Sequence, residues 1–192
     1  KQEGSYTDLY FNYAINQDLR DKKFRTEDGY VTTFSQELPI VSDNAEISNA
    51  FEVTKYKKLS PTSSMVGKIS FFGKTVTGLN DDVRISKRLN IPASRLRGFQ
   101  SGKVGPIENN DYIGGNHLSS LNLSATLPNI VQGLDNLDVG VFIDAANVWG
   151  VDYDSSIDDK STIRSSTGVA LNLLTPIGPL SFSFANALSQ AS

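Results

Sequence analysis

The chain has 192 residues, 39% of them hydrophobic and 20% charged, a size and composition open to one ordinary globular domain. The absence of cysteine excludes disulfide frameworks, thiolate nucleophiles and cysteine-ligated zinc or iron–sulfur sites, while saying nothing about the redox compartment. With 18 basic against 21 acidic residues the net charge is −3, so there is no basic footprint for nucleic acid, and no apolar run is long enough for a transmembrane helix.

Short stretches rich in Val, Ile, Thr, Tyr and Phe, separated by Asn, Asp, Gly and Pro, predict an all-β chain. The first strand is expected over 6–16, with Leu9, Phe11, Tyr13 and Ile15 on one face and Tyr10, Asn12, Ala14 and Asn16 on the other. A second, over 30–38, sets Tyr30, Thr32, Phe34 and Leu38 against Val31, Thr33, Ser35 and Glu37. The third (47–59) and fourth (65–73) alternate less cleanly, Phe51 and Val53, then Ile69 and Phe71, marking their apolar faces. An irregular stretch follows, about 74–116, well beyond an ordinary connection and therefore functional or disordered.

Alternation then returns in its clearest form. The fifth strand sets Leu121, Leu123, Ala125 and Leu127 against Ser120, Asn122, Ser124 and Thr126. The sixth sets Leu137, Val139, Val141, Ile143 and Ala145 against Asp138, Gly140, Phe142, Asp144 and Ala146. The seventh alternates Val169, Leu171 and Leu173 with Gly168, Ala170 and Asn172, and the eighth Leu180, Phe182 and Phe184 with Ser181, Ser183 and Ala185.

The second faces decide the class. A soluble sandwich bathes its outer face in water and fills it with Lys and Glu, whereas these faces are mostly Ser, Thr, Asn, Gly and Ala. Small polar faces fit the lumen of a barrel whose Leu, Val and Phe faces meet lipid. Strands of about ten residues match a tilted membrane crossing, and Trp149 and Tyr153 suit an interfacial aromatic girdle. The expectation is an antiparallel meander of about eight transmembrane-type strands; the competing reading is a soluble β-sandwich or lipocalin-like binding module. Alternate connections fall at opposite ends, so 74–116 shares a side with 39–46 and 149–161, opposite 17–29, 60–64, 128–136 and the turn Thr175-Pro176-Ile177-Gly178-Pro179. Long loops are extracellular in outer-membrane barrels, which places 74–116 outside.

Within that loop, Gly98 to Lys103 is one residue short of a phosphate-binding loop and puts Val104 where Ser or Thr must hold magnesium, which excludes that reading. Arg97 reads either as an exposed loop arginine or as the partner of Asp144, an inward carboxylate at mid-strand. A carboxylate confined in a lumen needs a partner, and a guanidinium offers two parallel charge-assisted bonds. Folding the loop back into the lumen would join them.

These residues carry a resemblance. Leu96-Arg97-Gly98-Phe99 with Gly105-Pro106, then Gly114-Gly115-Asn116, then Phe142-Ile143-Asp144 with Val148-Trp149, then Thr175 to Leu180 leading into Phe182-Ser183-Phe184-Ala185, resemble in order the carboxy-terminal barrel of the BamA-type outer-membrane β-barrel assembly factor superfamily. The likeness covers about 95–188 and extends back to residue 6, with Phe24 to Gly29 resembling a family turn. It implies a roughly sixteen-stranded barrel with the loop tucked into the lumen, Arg97 as its tip arginine and Asp144 as the strand partner. Three departures stand out. Ser124, where a second inward contact is expected, replaces a frequent Glu; Ala146 replaces an inward Gly; and no Pro precedes Thr26.

On this resemblance, residues 1–192 are expected to be a partial carboxy-terminal barrel domain, with the final strand and the upstream POTRA repeats outside it. Lys1, with no initiator methionine or signal peptide, suits a processed chain or a piece of a longer one. The implied function is folding and inserting β-barrel proteins into the bacterial outer membrane. The implied partners are unfolded client barrels, outer-membrane lipids and, through the parent, assembly-machine lipoproteins; the implied seam lies between the barrel's first and last strands, and the chain alone is expected to lack insertase activity. A TamA-like or two-partner secretion transporter of the same superfamily is the alternative. No enzyme activity, cofactor or metal is expected. His117, the only histidine, reads as solvated; Asp152, Asp154, Asp158 and Asp159 are not an EF-hand, since Ile157 and Ile163 stand where it needs Gly and Glu, and they read as a solvated extracellular loop, with loose divalent binding as the alternative. Asn122-Leu123-Ser124 is a sequon inside a strand, without meaning in a bacterium.

Overall fold

Period-two patterning with one apolar and one small polar face produces one long sheet in the computed structural model, which describes residues 7–62, 64–128, 130, 133, 134, 136–159 and 162–189. The strands are β1 (Asp8–Asp18), β2 (Asp28–Ser42), β3 (Glu46–Lys58), β4 (Val66–Gly78), β5 (Ile107–Glu108), β6 (Asp111–Tyr112), β7 (His117–Pro128), β8 (Leu137–Trp149), β9 (Arg164–Thr175) and β10 (Gly178–Ala187). Eight form an antiparallel meander in the order β1-β2-β3-β4-β7-β8-β9-β10. The other two, β5 and β6, make a small hairpin inside the long loop. Its two-residue turn takes Asn109 and Asn110, both at positive φ (49° and 67°), the backbone that a tight hairpin requires.

The sheet is inside out relative to a soluble protein. On β8, Phe142 and Asp144 are 2% and 0% exposed, while the intervening Val141 and Ile143 are 57% and 49% exposed. Phe182 and Phe184 on β10, and Leu9, Phe11 and Ile15 on β1, are exposed as well, but on these two outermost strands the small polar residues between them, Ser181 and Ser183, then Asn12 and Asn16, are exposed too. Ser70, Ser120 and Ser166 are buried on the inner face. Among the described residues the eight long strands form one sheet, with no second sheet packed on its apolar face, which is not the architecture of a sandwich.

What fills the inner face is the long loop. Val83, Leu89, Ile91, Leu96 and Val104 from the loop pack with Val76, Leu118, Ala146 and Val148 from β4, β7 and β8, and this is the hydrophobic core. The loop is shorter and more ordered than the sequence suggests. β4 continues to Gly78, so the connection is 79–116, and it carries a 3-10 turn at Ile85–Lys87 besides the hairpin. β1 and β2 also run further than expected, which shrinks the 17–29 connection to 19–27. That turn folds across the inner face: Arg25, at φ 48°, donates from Nη2 to Asp138 on β8 at 2.9 Å and from Nε at 3.2 Å.

Candidate functional site

The loop tip is held by alternation of the same kind that builds the strands. A turn closed by Arg95 N–H donating to the Pro92 carbonyl sets Arg95 and Arg97 toward the sheet, while Leu96 between them is buried in the core. Arg97 donates from Nε to Asp144 Oδ2 and from Nη2 to Asp144 Oδ1, both at 2.7 Å, and its backbone N–H reaches Oδ2 at 3.2 Å. The fork geometry of guanidinium on carboxylate makes this a strong, directional pair. Asn122 on β7 adds a bond to Asp144 Oδ1 and another to the Arg95 carbonyl, each 2.8 Å.

An aromatic platform lies beneath. The Arg97 guanidinium carbon is 3.4 Å from the centre of the Phe142 ring. β9 carries Gly168 beside that ring: a Cβ there would come within 2.7 Å of Phe142 Cζ and closer still to the Phe184 carbonyl oxygen on β10. Next to Arg97, Gly98 adopts φ +87°, a left-handed backbone suited to glycine, and passes so close to β10 that a Cβ would meet that of Ala185 at 3.0 Å. Phe99 is half-buried against the core.

A second anchor escaped the sequence reading. Arg95 donates to Glu52 on β3 at 2.9 and 3.3 Å and stacks on Phe72 of β4, its guanidinium carbon 3.7 Å from the ring centre. The loop tip is therefore fixed by two arginines, each bonded to a carboxylate and each lying on a phenylalanine. Glu52 was visible as an acid at an inward position of the third strand, but that strand's uneven pattern hid its partner. Ser124 lines the same cavity of about 400 Å³ as Glu52, Lys68, Arg95 and Arg97. The bond from β7 to the carboxylate comes from Asn122, one inward position away.

Nearer the loop's root, buried Arg84 donates from Nε to Glu46 at 3.0 Å and from Nη2 to Asp8 on β1 at 2.8 Å, and Tyr10 donates to Glu46 at 2.7 Å. The loop is thus tied to β1, β3, β7 and β8. Residues 150–159, which follow β8, cover it from outside. Asp152 accepts from Val83 N–H at 3.0 Å and lies 3.7 Å from Arg88, whose guanidinium carbon is 4.3 Å from the Tyr153 ring centre. Tyr153 donates to Glu108, so it faces the loop rather than forming an outward girdle. Burial, then the Glu108 bond, push the Tyr153 hydroxyl above its ordinary pKa.

His117 stacks at 5.5 Å on Trp149 and is half-buried. Asp154 and Asp159 accept backbone bonds within their own loop, from Ser156 and Val151. Among the described residues no group of three His, Cys, Asp or Glu side chains could hold a metal ion. The arrangement's chemistry is that of ion pairs and stacking that hold a loop in a sheet's concavity.

Two comparisons bear on this geometry. The family model described as the Omp85 superfamily domain matches residues 1–192. Among solved structures, the chain is similar to BamA from Haemophilus ducreyi lacking POTRA domains 1–3, with a TM-score of 0.84 at 23% identity over 95% of this chain. It spans 39% of that protein's chain.

Proposed function

Because the chain belongs to the Omp85 superfamily, we propose that it forms the carboxy-terminal part of a BamA-type barrel that folds and inserts β-barrel proteins into the bacterial outer membrane. The observation that carries this reading is the inverted sheet with its loop pinned inside: an apolar outer face suited to lipid, and an inner face engaged by two arginine anchors. In lipid every unpaired backbone N–H and C=O costs several kcal/mol, so a client strand cannot enter alone. A barrel that opens at a weakly paired seam offers a strand edge as template, and the client adds to it by β-augmentation. The pinned loop would then act as a brace, tying β1, β3, β7 and β8 so that opening at the seam leaves this wall in shape. Clients, outer-membrane lipids and accessory lipoproteins reach the chain through the whole barrel.

The test is reconstitution of the intact parent protein into liposomes with a urea-denatured client barrel. The expected result is faster client folding than in empty liposomes, reduced when Arg97 is replaced by alanine. Equal folding rates with and without the parent would contradict the reading. Export of one dedicated substrate without general acceleration would favour a two-partner secretion transporter instead.

A further inference from the structure

The outer face is not uniformly apolar. On β3 the outward positions run Phe51, Val53, Lys55 and Lys57, so its apolar stripe becomes cationic three residues before the strand ends at Lys58. Lys55 is aligned across the sheet with Ile69, then Leu123, then Ile143, and Lys57 with Gly67, Ala125 and Val141. The small residues of the second row make a dent. Leu59 folds over Gly67, where a Cβ would come within 2.8 Å of its side chain, and Ala125 is the next floor residue. Walled by Leu59, Ile69, Leu123, Val141 and Ile143, the dent is a groove of about 540 Å³.

A lysine facing lipid is costly at the bilayer midplane and nearly free at the interface. Rows of aligned residues are tilted against the membrane in a barrel, so a row that begins at Lys55 and ends at Ile143 fits one that leaves the interface and enters hydrocarbon. The end of the sheet concerned carries the 19–27, 59–65 and 176–177 connections, opposite the long loop, and so belongs to the periplasmic leaflet. Lys57 is shared with Asp28 at 2.8 Å, while Lys55 is exposed and has no ion-pair partner among the described residues. A cation above an apolar groove at membrane depth is complementary to one kind of molecule, a lipid with an anionic headgroup.

We propose that this groove binds one anionic phospholipid of the periplasmic leaflet, its phosphate on Lys55 and Lys57 and one acyl chain along Gly67 and Ala125. The proposal rests on the membrane-facing reading of this face and not on the assembly activity. A lipid held there would match the charged end of β3 to the bilayer and fix the sheet's depth.

The experiment is native mass spectrometry of the intact detergent-purified parent, titrated with phosphatidylglycerol or with phosphatidylethanolamine bearing the same acyl chains. A bound phosphatidylglycerol is expected in preference to phosphatidylethanolamine. Lys55→Gln should weaken that binding roughly fivefold and leave phosphatidylethanolamine unchanged, Lys55→Arg should retain it, and Ala125→Phe should reduce both lipids by filling the groove. Lys55 is exposed and Ala125 half-exposed on the outer face, so the two changes probe headgroup and chain independently. Equal retention of the two lipids, a preference insensitive to Lys55→Gln, or occupation by a second protein copy in place of lipid would overturn the proposal. Retention of neither lipid by a parent that stays in solution without detergent would remove the membrane-facing reading as well.

Discussion

Arg97 and Asp144, 47 positions apart in the chain, meet through two parallel bonds of 2.7 Å, with Asp144 wholly buried and Arg97 still 23% exposed at its side chain. Removing the arginine would strand a buried carboxylate whose remaining side-chain partner is Asn122. In the intact parent, Arg97→Ala is expected to lower stability by about 2–3 kcal/mol, somewhat less than a fully buried pair would cost. Arg97→Lys should recover part of this, since it restores charge without the fork. Heat-modified mobility and protease cleavage within 79–116 measure both; unchanged cleavage and mobility in Arg97→Ala would count against the anchor.

The Arg95–Glu52 pair is more exposed, 20% and 37% at the two side chains, and should matter less. Arg95→Ala is expected to cost about 1 kcal/mol, from a partly screened ion pair and a lost contact with Phe72. Both arginines hold one short segment, so a double-mutant cycle with Arg97→Ala should be non-additive in the same mobility assay.

Gly98→Ala tests the approach to β10. A side chain at φ +87° is strained, and its Cβ would press on Ala185 at 3.0 Å. A loss of about 1–2 kcal/mol is expected, together with faster cleavage near the tip. A variant as protected as the wild type would mean that β10 moves away without cost.

Tyr153 supplies a pH dependence. Its folded-state pKa is raised, so the neutral hydroxyl that donates to Glu108 contributes stability below the unfolded value, about 10; the contribution is lost as pH rises through the folded one. Docking of 150–159 on the long loop should therefore loosen in strongly alkaline solution, and Tyr153→Phe should abolish the alkaline step. Ultraviolet titration of tyrosinate alongside loop proteolysis reads both.

The faces of β7, β8, β9 and β10 were legible in the sequence because lipid and lumen impose strict alternation, and Phe142, Asp144 and Asn122 fall on the inner side that it predicts. Strand ends were not. Lys74 to Gly78 extend β4 without apolar outward residues, so the pattern fades before the pairing does. Pro39 reads as a terminator, yet it pairs with Tyr10 where the β1–β2 register shifts and Ile40 is passed over. That is the irregular position at which a sheet tolerates proline. The resemblance pointed to Arg97 and Asp144, but Arg95–Glu52 and Arg84–Glu46–Asp8 depend on how the loop folds onto distant strands, which no local spacing encodes.

The inverted sheet underlies every functional inference, and site-specific contact with lipid tests it most directly. The 192 residues contain no cysteine, so single cysteines can be placed along β8 and labelled with a fluorophore without background from this chain. In the liposome-reconstituted parent, labels at Val139, Val141 and Ile143 are expected to be quenched by brominated acyl chains. Labels at Asp138 and Gly140 should be spared and answer instead to an aqueous quencher. Uniform quenching along β8, or quenching on the even positions, would contradict the lipid-facing placement of the apolar face.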